Sequence, residues 1–184
     1  MTPDAIAAML RRDRCRWPLL ALVQALGLPD GWIGAGFLRN AVWDLLHDRP
    51  PSPPDGDVDV VWFDRAHASP AIDREIEARL RTGAPWAKWS VRNQARMHER
   101  NGDPPYRDTA DALLHWPETA TAVAARRIGA DGCEIIAPYG LNDLAALILR
   151  PTPGFQGAKR PVFEARHRSK RWLARWPGLR QASP

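Results

Sequence analysis

The chain holds 184 residues, 45% hydrophobic and 26% charged, a balance that suits one globular domain with a real core and excludes a disordered or fibrous class. No stretch of about 18 apolar residues exists to cross a membrane. Residues 1–17 carry acids and arginines where a secretory leader would be apolar, so a cytoplasmic protein without membrane association is expected.

The net charge of +5 is uneven. From Lys159 onward, eight basic residues accompany a single acid, Glu164, and residues 1–158 are left slightly acidic. A basic appendage over 159–184 favours a polyanionic ligand such as a triphosphate or a nucleic acid, although a solvated helix would carry the same charge. Cys15 and Cys133 are too few and too far apart for a disulfide framework or a zinc site.

Apolar residues recur at helical spacing from Ala5 to Leu26, and Pro18 divides that stretch into two helices, so residues 1–30 read as an N-terminal helical pair. Trp32-Ile33 reads as the end of a strand, and Phe37 to Leu46 as a helix. His47 to Gly56, with four prolines, is a loop. Val58 to Phe63 is β-rich and is expected to form a buried strand. Ala71 to Leu80 is helical, Ala87 to Val91 a strand, and Thr109 to Arg127 one or two helices with Pro117 marking a start. Cys133 to Ala137 is a further strand. Leu141 to Leu149 is a helix with Asn142 or Asp143 as its cap, and Phe163 to Trp176 a final helix. This alternation predicts an α+β or α/β domain built on a small mixed sheet with flanking helices. Most of the nine tryptophans are expected in the core.

Asp57-Val58-Asp59 lies at the start of one expected strand. Side chains alternate along a strand, so Asp57 and Asp59 share a face while Val58 points away. Two carboxylates held together repel unless a cation sits between them, and such oxygen ligands suit Mg2+ or Mn2+. The alternative is a solvated pair opening an edge strand. Gly34-Ala35-Gly36 lies between a strand and a helix, where backbone N–H groups and the helix N-terminus can face a phosphate, and Arg39 follows one turn later. The turn lacks both the third glycine of a dinucleotide fingerprint and the lysine of a P-loop. Arg92 and Arg96, in the polar stretch after the third strand, read equally well as phosphate ligands or as a satisfied turn. Lys170 can reach a triphosphate or be solvated.

Taken together, Ala35-Gly36-Phe37-Leu38-Arg39-Asn40 and Asp57-Val58-Asp59-Val60 resemble the core of the DNA polymerase β superfamily of nucleotidyltransferases. They are similar in particular to the turn of tRNA-nucleotidyltransferase and poly(A)-polymerase head domains. A family of small bacterial nucleotidyltransferase-like proteins is closer still, through Trp89-Ser90-Val91-Arg92-Asn93-Gln94, Trp116-Pro117-Glu118-Thr119, Ala137-Pro138-Tyr139-Gly140-Leu141-Asn142-Asp143 and Lys170-Arg171-Trp172. The resemblance spans roughly residues 30 to 178. It implies a polymerase β-like fold with extra C-terminal helices, an NTP substrate, and an RNA or small-molecule acceptor. It also implies Asp57 and Asp59 as catalytic metal ligands, with Gly34, Ala35, Gly36, Arg39, Arg92 and Lys170 around the nucleotide.

Three departures stand out. Ala35 replaces the first glycine of the turn, and Asn40 replaces an aspartate. The third carboxylate of the superfamily has no equivalent on the strand 88–93. Asn93 is the candidate for that metal position, with Glu118 or Asp111 as substitutes from elsewhere. Two functions therefore stay open: a metal-dependent nucleotidyltransferase, or a nucleotide- or RNA-binding module on the same fold that does not turn over.

Overall fold

The computed structural model describes residues 1–182, so the last two residues of the basic segment lie outside the described part. Two helices open the chain, α1 (Pro3–Arg12) and α2 (Trp17–Ala25). Thr2 caps α1 by accepting the Ala5 amide. The break expected at Pro18 falls earlier, at residues 13–16, where the Asp13 carboxylate accepts the amides of Cys15 and Arg16. Pro18 instead occupies the first turn of α2, where its missing N–H costs nothing.

The sheet forms from β1 (Trp32–Gly34), β2 (Asp57–Trp62), β3 (Lys88–Asn93), β4 (Ala124–Ile128) and β5 (Gly132–Ile136), in the order β3-β2-β1-β4-β5. Within this five-stranded sheet β2 and β3 are parallel and the other neighbours antiparallel; α4 (Pro70–Gly83), capped by Ser69, connects β2 to β3. The short helix α3 (Gly36–Leu45) leaves the end of β1 directly. Alternation along the strands divides the sheet into two faces. Ile33, Val58, Val60, Trp89, Val91 and Ala125 point into the main core with α1–α4, while Trp32, Val61 and Ala124 form a smaller cluster on the opposite face with Leu113 and Trp116. Asp57, Asp59 and their strand neighbours Ser90 and Arg92 lie on that second face.

Three expected helices are corrected. Over 109–127 only α6 (Thr109–Leu114) is helical. Pro117 starts no helix, and the alanine-rich Ala124-Ala125 is recruited as β4, because its small side chains are completely buried between β1 and β5. Tertiary pairing overrides a helix-friendly composition here. The helix over 141–149 shrinks to α7 (Asn142–Ala145), followed by Leu147 at φ 57° and β6 (Ile148–Leu149). Neither Asn142 nor Asp143 caps it: Leu141 holds the cap position, and the Asp143 carboxylate instead accepts from Thr119 and Arg150. The final helix is split into α8 (Arg160–Lys170) and α9 (Trp172–Arg175) by Arg171 at φ 52°. A last strand, β7 (Arg180–Gln181), pairs with β6. Between β3 and α6, a single turn of 3-10 helix leads into α5 (Met97–Asn101). No helix among the described residues is long and apolar enough to cross a membrane.

Candidate active site

A cleft of about 1220 Å³ opens over the second face of the sheet, and a smaller one of about 220 Å³ adjoins it. Both are lined by Ala35, Asp57, Asp59, Arg166 and Lys170. The carboxylates rise from the floor, with Asp57 exposed at the mouth and Asp59 half-buried. Burial, and next the repulsion of Asp57, push the Asp59 carboxyl above the ordinary carboxylate value. The hydroxyl of Ser90, its register partner on β3, and the charges of Arg166 and Arg39 oppose that shift. An acid raised by burial and then by its own neighbour belongs to an under-neutralised pair, which is what a hard divalent cation would relieve.

The turn that leads from β1 into α3 divides its labour. Gly34 pairs with Asp59 inside the sheet. A side chain there would meet Trp116 at 2.9 Å, so the glycine makes room for an indole in the cleft wall rather than facing a phosphate. Ala35 takes φ 54° and ψ −128°, a conformation natural to glycine, with its amide bonded to the Val123 carbonyl. Beyond it, the first amides of α3 have no side-chain cap and open toward the smaller cleft.

Arg39 borders that cleft, yet its guanidinium is committed to protein. It is 4% exposed, donates to Thr121 Oγ1 (2.7 Å) and Asn40 Oδ1 (2.9 Å), and stacks between Trp172 and Trp43 at 4.2 and 4.9 Å. Burial pulls it down to about 10, which leaves it charged at neutral pH. Arg92 lines the large cleft and is about half exposed, near Glu77. Arg96 is bound to buried Asp73 and serves the packing of α4 on β3. Lys170 is exposed on the cleft side of α8.

The expectation for Asn93 does not survive its environment. It pairs with Trp62, three residues beyond the Asp59 level, and is completely buried. Its amide nitrogen donates to the carbonyls of Asp64 and His67, and its oxygen accepts from Asp64 and Ala95. No capacity remains for a metal. Asp111 is held by Arg107 on the surface of α6, and Glu118 is buried against Arg166. Among the described residues no cluster of three His, Cys, Asp or Glu side chains forms.

Arg166 entered the sequence reading only as one of the basic residues after Lys159, not as a site residue. It comes from α8, accompanies Lys170 one turn away, and is anchored to completely buried Glu118 through a 2.9 Å bond. Arg175 closes the smaller cleft by binding Asp55 of the proline-rich loop. Only the helical i, i+4 spacing of Arg166 and Lys170 could have pointed to a shared face.

This sheet order, with a carboxylate pair on the strand beside a turn-to-helix junction, defines a nucleotidyltransferase domain of the polymerase β type. The family model described as "Nucleotidyltransferase" matches residues 21–181, and the chain belongs to that family. An NMR structure described as revealing a CCA-adding enzyme head domain is 31% identical with a TM-score of 0.86, covering 100% of this chain and 97% of that one. The fold is shared with two larger proteins. A CCA-adding enzyme in complex with CTP is 13% identical, with a TM-score of 0.62, and the match covers 100% of this chain and 44% of that one. The Thermotoga maritima CCA-adding enzyme complexed with tRNA is 14% identical, with a TM-score of 0.59 and coverages of 100% and 43%. The chain thus spans less than half the length of these two. No curated protein matches the sequence.

Proposed function

We propose that the chain transfers a nucleoside monophosphate from an NTP to an acceptor hydroxyl, with Asp57 and Asp59 holding Mg2+ or Mn2+. The observation that carries this reading is the under-neutralised carboxylate pair on the floor of a cleft whose walls are basic. Hard oxygen donors of this kind suit such a cation, and when bound it would lower the acidity barrier of an attacking hydroxyl and offset charge on phosphate oxygens. In the transfer, the acceptor oxygen bonds to the α-phosphorus, the bond to pyrophosphate breaks, and the hydroxyl proton passes to water. The exposed Lys170 and the opening amides of α3 bind the triphosphate, with Arg166 adding charge beside Asp59. Arg39 acts from beneath as a fixed cation. The family relationship and the CTP complex of a protein with the same fold support an NTP, and the tRNA complex of another supports an RNA acceptor.

Asp57→Asn tests this. Titration with an NTP and Mg2+ is expected to show at least tenfold weaker metal-dependent binding at unchanged thermal stability. Full retention of metal-dependent binding would overturn the assignment. The absence of a third carboxylate among the described residues favours a second reading, nucleotide or RNA binding without turnover. Binding that collapses with salt but ignores a chelator would select it.

A further inference from the structure

The same large cleft carries a second polar cluster that the nucleotide reading does not use. Asp103, partly buried just beyond α5, accepts from the Tyr106 hydroxyl at 2.6 Å and from Lys159 Nζ at 3.1 Å, and lies 3.4 Å from His115 Nδ1. Lys159 also donates to the Asn101 carbonyl. The Tyr106 ring, 2% exposed, packs 4.8 Å from the imidazole. Burial, then the bond to Asp103, push the Tyr106 hydroxyl up, so it stays a neutral donor. One carboxylate thereby fixes both His115 and Lys159, and both line the cleft together with exposed Arg100. The other imidazole nitrogen, Nε2, and the Arg100 guanidinium have no hydrogen-bond partner among the described residues.

The cluster is coupled to the floor of the site. Trp116, the residue after His115, fills the space that a side chain at Gly34 would need, and Gly34 is the register partner of Asp59. The cleft therefore offers two groups of positive character, one at α8 and the α3 N-terminus, the other at Arg100 and Lys159 beside His115. Its one acid in the second group is already consumed by Tyr106, Lys159 and His115. The Arg100 and Lys159 N–H groups, converging without a free acid, match the oxygens of a phosphate group, and His115 Nε2 joins them as a donor wherever it carries the ring proton. Binding a phosphate remote from the reacting hydroxyl would orient the acceptor toward Asp57 and Asp59.

We propose that Arg100, His115 and Lys159, the latter two positioned by Asp103, form a subsite for a phosphate group on the acceptor; this rests on the nucleotidyltransferase reading above. The full chain is titrated calorimetrically with ribose 5-phosphate against ribose. A short single-stranded oligoribonucleotide with and without its 5′-phosphate forms the second pair. At least tenfold tighter binding of the phosphorylated member of either pair is expected, and the pair that shows it identifies a small acceptor or an RNA end as the source. Lys159→Ala, His115→Gln and Arg100→Ala each remove most of that preference. Arg100 is an exposed position, so its variant keeps the test valid should the others disturb packing. Equal affinities within both pairs, no binding of either phosphorylated compound, or a preference untouched by Arg100→Ala overturns the subsite. NTP titration with Mg2+ on the same variants separates the two readings. Intact NTP binding with a lost preference supports the subsite, whereas NTP binding indifferent to Asp57→Asn overturns the nucleotidyltransferase reading itself.

Discussion

Replacing Arg39 by alanine removes a guanidinium that is 4% exposed, bonded to Thr121 and Asn40, and sandwiched between two indoles. A desolvated cation–π contact contributes about 2 kcal/mol, and a hydrogen bond from a charged donor about 1.5–3 kcal/mol. Desolvation of the arginine offsets much of this gross sum. Emptying the space between two buried indoles costs about 3–5 kcal/mol, as for other large-to-small core changes, and buried Glu118 loses the electrostatic support of Arg39. Urea unfolding of Arg39→Ala should therefore show a loss of about 3–5 kcal/mol, a large part of a typical stability of about 5–15 kcal/mol. With a slope of about 2 kcal/mol per molar, the midpoint moves by about 2 M. Lys170→Ala supplies the contrast. Its side chain is exposed, so stability changes by no more than about 0.5 kcal/mol, while NTP affinity falls about tenfold, equivalent to about 1.4 kcal/mol. If Arg39→Ala instead unfolded within about 1 kcal/mol of the parent and lost NTP binding, Arg39 would be a phosphate ligand and the structural assignment would fail.

Ala35→Gly should raise stability by about 1 kcal/mol, the low end of the strain stored at such a backbone conformation, partly offset by the added freedom of the unfolded chain; a lower melting temperature would contradict it. Asp59 is held above its ordinary 3.8 in the folded chain, so the folded state binds that proton more tightly and ionised Asp59 costs stability once the pH exceeds both values. Asp59→Asn is accordingly expected to stabilise the metal-free protein at pH 7 by about 0.5–2 kcal/mol, with the gain fading as the pH falls through the folded value toward 3.8. Melts from acid to neutral pH that show no such gain would refute the burial and repulsion assigned to Asp59. Asn93→Asp would set a carboxylate against the carbonyls of Asp64 and His67. A loss of at least about 1–3 kcal/mol in urea unfolding is expected, without tighter Mg2+ binding, and tighter binding would return Asn93 to the metal site.

What could be read from the sequence was local. The period-2 pattern of residues 57–63 placed both aspartates on one face before any contact was known, and the helix after Gly36 followed from its own periodicity. The strand over 124–128 was hidden because two alanines and two arginines favour a helix in isolation, and pairing with β1 and β5 makes them a strand. Asn93 misled for a related reason: its position in the register and its four bonds are properties of packing. As a site residue Arg166 was invisible because its partner, Glu118, lies 48 residues away. The break at Arg171, a non-glycine residue at positive φ, carries no signal in composition.

The cleft wall formed by α8 and α9 has a temporal consequence. The carboxylates at 57 and 59 are synthesised early, but Arg166, Lys170 and Arg175 follow more than a hundred residues later. A nascent chain lacking them holds the acidic floor of the pocket without its basic wall, and the proposed triphosphate subsite is assembled only when α8 and α9 dock, through Trp176 on Asp44 and Arg175 on Asp55. The two halves of the cleft thus become one site only after residues far apart in the sequence have both been made.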